Sequence, residues 1–252
     1  MVRMLSALRS ACQAFGVALA GLCLASAAQA VTLYDPAQGL PSAQGWLYTG
    51  LGTATQGLSG GMYSLDTSAS AATQWGNART LSSTPLDTAA GFDLDFSLRV
   101  ISEAHGTNLN RAGFSLIVIG QDPAHSLELA FWTDTVWAYH YDTATSSFTH
   151  GVSTALNTGP PRDYTLQVRN QQFTLLTGTT VLLTGPLENY TAQGLPYTTP
   201  NFVFFGDDTS SASASVRVGT IALTPVPEPA SSTLALAGAL VLAWRLRTAR
   251  RA

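Results

Sequence analysis

The 252-residue chain has no lysine and only two cysteines, and charged residues are 11% of it. Each shortage excludes something. With 46% hydrophobic residues, so little charge rules out a charge-rich disordered polymer. All basic residues are arginine, and they crowd the ends: Arg3 and Arg9 at one, Arg245, Arg247, Arg250 and Arg251 at the other. Residues 31–225 keep six arginines against 14 acidic residues, a formal charge of −8. A domain of that sign repels polyphosphate, so no nucleic-acid partner is expected. Cys12 and Cys23 both lie in the first thirty residues, so the rest of the chain must be held by its core without disulfides. Roughly two hundred residues are enough to bury one.

What stands at the N-terminus reads as a secretory signal. Arg3 and Arg9 supply the positive region, "AFGVALAGLCLA" the apolar stretch, and Ala28 and Ala30 in "AQA" the small-residue cleavage site. Residues 1–30 are therefore expected to be removed, leaving Val31 first. A lipoprotein signal fits less well, because Cys23 follows Leu22 and has Ala20, not leucine, three residues before it.

At the other end, Ala230 to Trp244 carry no charge over fifteen residues. As a helix this segment would span about 22 Å, short of a hydrocarbon core of about 30 Å. The arginines after Trp244 would stay cytoplasmic, with the domain outside. The plain expectation is a weak tail anchor. The order of parts in residues 225–252 says more: Pro227-Glu228-Pro229, the apolar stretch, then Arg245, Arg247, Arg250 and Arg251. This tail resembles the PEP-CTERM sorting signal of exported proteins in Gram-negative bacteria that make exopolysaccharide. The resemblance implies processing by an exosortase near the motif, with transient membrane association through the apolar helix. Glu228 is then a recognition residue.

Between the ends, two-residue alternation dominates. "GFDLDFSLRV" puts Phe92, Leu94, Phe96, Leu98 and Val100 on one face and Asp93, Asp95, Ser97 and Arg99 on the other. "RAGFSLIVIG" is nearly continuous apolar, as in a strand buried on both sides. "SLELAFWTDTVWAYHYD" reads as two strands meeting near Thr133-Asp134, and "YTLQVRNQQFTLLTGTTVLLTGPL" as three, turning at Asn170 and Gly178. "NFVFFGDD" and "SASVRVGTIALTP" add two more, and "GWLYTG" and "GGMYSLD" an edge pair. The expected fold of residues 31–224 is one all-β, antiparallel two-sheet sandwich. The succession "TLYD", "QGWLYTG", "AGFDLDFSLRV", "NRAGFSLIVIG", "LELAFWTDTVWA", "PNFVFFGDDTSSASASVRVGTIAL" resembles the domain called choice-of-anchor Y. More loosely it is similar to concanavalin-A-like and laminin-G-like jelly rolls. Neither resemblance implies an activity.

Several chemistries compete for the domain. Glycoside hydrolysis needs two carboxyl groups about 5–9.5 Å apart. Asp93 and Asp95 share a face at a suitable spacing, but alternation against an apolar face marks a solvated surface. Glu128 and Asp134 share parity yet stand roughly 20 Å apart on a straight strand. No Gly-x-Ser-x-Gly elbow occurs, and His105, His125, His140 and His150 lack metal-ligand spacing. Arg111 suits a structural salt bridge with Glu103 nearby. Asp207 and Asp208, in a loop after "NFVFF", are candidate calcium ligands, with an Asp-rich turn as the plainer alternative. Trp132 and Trp137 are the candidate sugar-stacking platform, although opposite parity would aim them at opposite faces of an unbroken strand. The expectation is an exported surface or exopolysaccharide-matrix protein whose sandwich is a non-enzymatic binding or structural module, with carbohydrate as a candidate partner. A polysaccharide-active hydrolase or lyase on the same fold is the alternative.

Overall fold

The computed structural model describes residues 29–226, with Gly238 beyond them. The Ala28 side of the signal cleavage site, the Pro227-Glu228-Pro229 motif and the four tail arginines lie outside the described residues, as does the apolar tail segment around Gly238. Among the described residues no helix is long and apolar enough to cross a membrane. Gln29 to Val226 form one compact unit.

Fifteen strands make it up: β1 (Val31–Tyr34), β2 (Leu47–Leu51), β3 (Thr55–Ser59), β4 (Met62–Asp66), β5 (Gln74–Thr80), β6 (Phe92–Ala104), β7 (Ser115–Ile119), β8 (Ser126–Phe131), β9 (Thr135–Asp142), β10 (Ser147–Ala155), β11 (Arg162–Arg169), β12 (Gln172–Thr177), β13 (Thr180–Pro186), β14 (Phe202–Asp207) and β15 (Ser213–Pro225). They form two antiparallel sheets of the jelly-roll type. The eight-stranded sheet runs β13-β12-β11-β6-β15-β4-β3, with β1 also on β15. The seven-stranded sheet runs β10-β9-β8-β7-β14-β5-β2.

Alternation explains how the sheets close on each other. On β6, Phe92, Leu94, Phe96, Leu98 and Val100 are buried in the inter-sheet core, where they meet Leu116, Val118, Leu129, Phe131, Val203 and Phe205 of the other sheet. The opposite face of β6 is solvated: Asp93 pairs with Arg169 at 2.7 Å, and Asp95 accepts a hydrogen bond from Thr165 at 2.6 Å. The turns fall where the sequence placed them, with Asn170, Gln171 and Gly178 all at positive φ. Gly178 takes that conformation without cost, whereas Asn170 and Gln171 are held in it by hydrogen bonds to the carbonyls of Ala89 and Thr88.

One pairing differs from expectation. "GWLYTG" and "GGMYSLD" do not form an edge pair: β2 joins β5 at the rim of the seven-stranded sheet, while β4 lies between β15 and β3 in the other. The cause is the tight Gly60-Gly61 turn, which folds β3 back onto β4 and takes its free edge.

The seven-stranded sheet is unlike its partner in having a second apolar layer. Ile117, Ile119, Ala130, Trp137, Tyr139, Tyr141, Phe202 and Phe204 cluster with Tyr190 and Tyr197. Along β7, β9 and β14 these residues alternate with those of the inter-sheet core, so they occupy the sheet's outer face. The segment from Leu187 to Pro200 lies over that face. Glu188 and Ser126 exchange two backbone hydrogen bonds of 2.8 Å, Tyr190 donates to the carbonyl of Tyr139 at 2.8 Å, and Gln193 donates to Tyr141 and the Ser146 carbonyl.

Candidate functional site

A cavity of about 580 Å³ opens on this outer face. Phe202 and Phe204 on β14, Ile117 on β7 and Tyr139 on β9 form its floor. Phe148 and the Leu195-Pro196-Tyr197 turn form a wall, and Gln74, Arg111 and Asp208 bring polar atoms to it. Space for the floor depends on Gly76, because a Cβ there would come within 2.3 Å of the Phe204 ring. Gly206 opposite it, at φ +152°, would put a Cβ 2.4 Å from Gly76.

An acidic pair lies at one end. Glu128 is the only charged residue of β8, with 1% of its surface exposed. Ser115 donates to its Oε1 at 3.0 Å and the Tyr197 hydroxyl to its Oε2 at 2.6 Å. The same hydroxyl lies 3.5 Å from Oδ2 of Asp208, just past the end of β14. Burial, and then the Asp208 charge, push Glu128 well above the usual carboxylate range, and burial also raises Asp208. The Tyr197 hydroxyl thus stands between the two carboxyl groups, and burial of both, with their mutual repulsion, favours the protonated form of the pair. Oδ1 of Asp208 is enclosed and has no hydrogen-bond partner. Tyr139 faces the pair as well, and burial above all, with the acidic pair adding to it, raises both Tyr139 and Tyr197 well above the ordinary tyrosine value.

Among the described residues Arg111 is the one cation that lines the cavity. It forms no salt bridge with Glu103. Its Nη1 donates to the backbone carbonyls of Asn110 and Phe148, while Glu103 pairs with His105 at 2.8 Å. Gln74 anchors the Asp208 carbonyl at 3.0 Å.

Asp207 and Asp208 do not act together. Alternation along β14 turns Asp207 inward, where the Thr67 hydroxyl donates to it at 2.6 Å and the Thr209 amide at 3.2 Å. Burial pushes its carboxyl up to about 8. Among the described residues no group of three His, Cys, Asp or Glu side chains gathers as metal ligands. The calcium pair expected from the sequence therefore does not assemble: one member faces each side of the sheet, and the inward one is already hydrogen-bonded.

The tryptophans also differ from expectation. They come together, with ring centroids 5.7 Å apart, because β8 ends at Phe131 and Trp132 lies in the turn, which breaks the parity rule. Yet they offer no open platform. Trp137 is fully buried, flanked by Trp132, Tyr139 and a stacked His150. Trp132 has His105 stacked on it at 4.0 Å and donates Nε1–H to the Arg111 carbonyl. Asp93, Asp95 and Asp134 take no part in the cavity lining, and the partner of Glu128 comes from eighty residues further along the chain.

Comparison with known proteins places the fold. No family model matches the chain, and no curated protein does. Among solved structures, a conserved carbohydrate esterase from Shiga toxin-encoding bacteriophage phi24B has a TM-score of 0.57 at 12% identity, over 78% of this chain and 99% of that one. A sialidase has a TM-score of 0.48 at 12% identity, over 80% of this chain and 19% of that one. Domain 4 of an extracellular arabinanase from Geobacillus stearothermophilus, in complex with arabinotriose, has a TM-score of 0.47 at 11% identity, over 84% of this chain and all of that domain. At such identities the likeness to the phage protein establishes a shared sandwich architecture.

Proposed function

We propose that this chain is an exported, non-enzymatic surface or matrix protein that binds carbohydrate in the cavity over its seven-stranded sheet. One observation carries the reading. The cavity lining brings the acidic pair, Glu128 beneath Tyr197 and Asp208 beside it, together with Arg111 and Gln74 against aromatic walls. Ring faces for sugar C–H groups, with a few convergent planar polar groups for hydroxyls, make a recognition set. Glycosidase carboxyl groups must instead flank a bond from about 5–9.5 Å apart. The phage protein with the same architecture is described as a carbohydrate esterase, which agrees with the ligand class.

The chain ends complete the proposal. Residues 1–30 direct export, and the tail from Pro227 holds the protein at the inner membrane until an exosortase acts at Pro227-Glu228-Pro229. The domain is then delivered to the envelope, surface or exopolysaccharide of a Gram-negative bacterium. Mass spectrometry of the extracellular protein tests this part. A product beginning at Val31 and lacking Arg245 to Arg251 is expected; one that keeps Arg251 in cells with an active exosortase would overturn it.

For the domain, glycan-array binding is expected to fall about tenfold or more in Phe148→Ala and Asp208→Ala. The melting temperature of Asp208→Ala should hold or rise, since the change removes a buried carboxylate that has no salt-bridge partner.

A polysaccharide-active enzyme is the second reading, favoured by the raised carboxyl pair in a cavity. Product release from a polysaccharide that disappears in Glu128→Gln would establish it in place of simple binding.

A further inference from the structure

We infer that the glycan unit seated in this cavity carries a free amino group, its ammonium resting on Asp208. The inference rests on the carbohydrate-binding reading above and names its ligand class.

The enclosed Oδ1 of Asp208 is an acceptor with no donor, and it belongs to a residue lining the cavity. A buried carboxylate oxygen left in that state is unfavourable, so its partner is expected from outside the fold. Whatever fills the gap must donate. A uronate carboxylate or sulfate cannot, and it would also meet the formal −8 of residues 31–225.

Charge within the site narrows the choice from donor to cation. Glu128 and Asp208 share the Tyr197 hydroxyl, and among the described residues no arginine or histidine forms a salt bridge with either. Arg111, the one cation of the lining among the described residues, spends its Nη1 on two backbone carbonyls. Of the other described arginines, Arg79 bonds the carbonyls of Leu33 and Gln44, Arg99 that of Gly159 and Arg162 that of Asn157, Arg169 pairs with Asp93, and neither these nor Arg217 line the cavity. The protein thus buries two acids against one nearby cation, Arg111, whose charge acts on Asp208 without a salt bridge. An ammonium at Oδ1 would add the second positive charge, and a charge-assisted hydrogen bond is stronger than one from a neutral hydroxyl. Tyr139, Phe148 and Tyr197 around it suit a cation as well as a sugar ring.

Isothermal titration of the purified protein with three probes at pH 6 tests the inference: an oligomer of glucosamine, the same oligomer fully N-acetylated, and an oligouronate. The amino oligomer is expected to bind at least about tenfold tighter than the acetylated one, with no binding of the oligouronate. In Asp208→Asn, which keeps the side-chain shape, the preference should shrink to about twofold or less, with unchanged melting. Equal binding of the acetylated oligomer, binding of the oligouronate, or a preference that survives Asp208→Asn would overturn the inference. So would calcium alone giving a binding signal that Asp208→Asn abolishes, since the missing cation would then be a metal. If the neutral oligomer binds as well as the amino one and Phe148→Ala removes both, the carbohydrate reading stands and only the amino group is wrong. If no oligosaccharide of any class binds, both fall.

Discussion

The outer faces of the two sheets are built from the same backbone pattern and have opposite characters. On the eight-stranded sheet, β6 and β11 alternate strictly, and the outward residues are Asp93, Asp95, Thr165 and Gln167, wetted and loosely paired. On the seven-stranded sheet, β7, β8 and β14 are buried on both sides, and the outward residues are Ile117, Phe202 and Phe204, with Glu128 alone among them. A carboxylate on a solvated face costs nothing and signals nothing. One inside a doubly buried strand must be protonated or paired, so it marks a place where stability yields to something else.

Truncation should separate the faces most sharply. Trp137→Ala on the aromatic face removes a fully buried ring packed between His150 and Tyr139. It is expected to cost about 3–5 kcal/mol, read as a fall in melting temperature or denaturant midpoint. A loss under 1 kcal/mol would mean that the outer layer is not a true second core.

Next in size is a pH effect at the rim between the faces. Asp207 bridges β14 to Thr67, and its carboxyl is raised to about 8 mainly by burial, with the charges of Asp208 and Glu103 adding to it. A folded-state value above the unfolded one means that the native state binds the extra proton. The stability this contributes is complete below about pH 4 and is lost as pH rises toward 8. Chemical denaturation from pH 5 to 8.5 should therefore show a decline on the order of a few kcal/mol. Asp207→Asn should flatten it, because an amide still accepts from Thr67 without titrating. A profile that stays as steep in the variant would assign the decline to other groups, Glu128 and Asp208 first among them.

These contrasts also show why the sequence revealed the fold more readily than the site. Alternation in "GFDLDFSLRV", the continuous run in "GFSLIVIG" and the turn at Asn170 are local signals, and β6, β7 and the β11–β12 hairpin stand where those signals put them, whereas β3, β5 and β10 carry weaker patterns. The acidic pair is not local. Spacing along the chain offers Glu128 a same-parity acid in Asp134, whereas Asp208 arrives beside it through the pairing of β14 with β7 and of β7 with β8. Only sheet order brings those two residues together, and no spacing rule contains it. A usable hint was present in "SLELAF", one acid within an otherwise buried strand. Trp132 misled for a related reason: parity holds inside a strand, and the strand had already ended.

The smallest expected effect lies on the solvated face and serves as the control for all the others. Thr165 and Asp95 form a 2.6 Å hydrogen bond across β11 and β6, on a surface open to water. Water offers both groups equivalent partners once the bond is removed, so Thr165→Ala should change stability by no more than about 0.5 kcal/mol. Glycan affinity should not change, because the inter-sheet core separates this residue from the cavity. A large loss of binding in Thr165→Ala would place the ligand on the eight-stranded sheet, and the aromatic cavity would then be only the outer core of its own sheet.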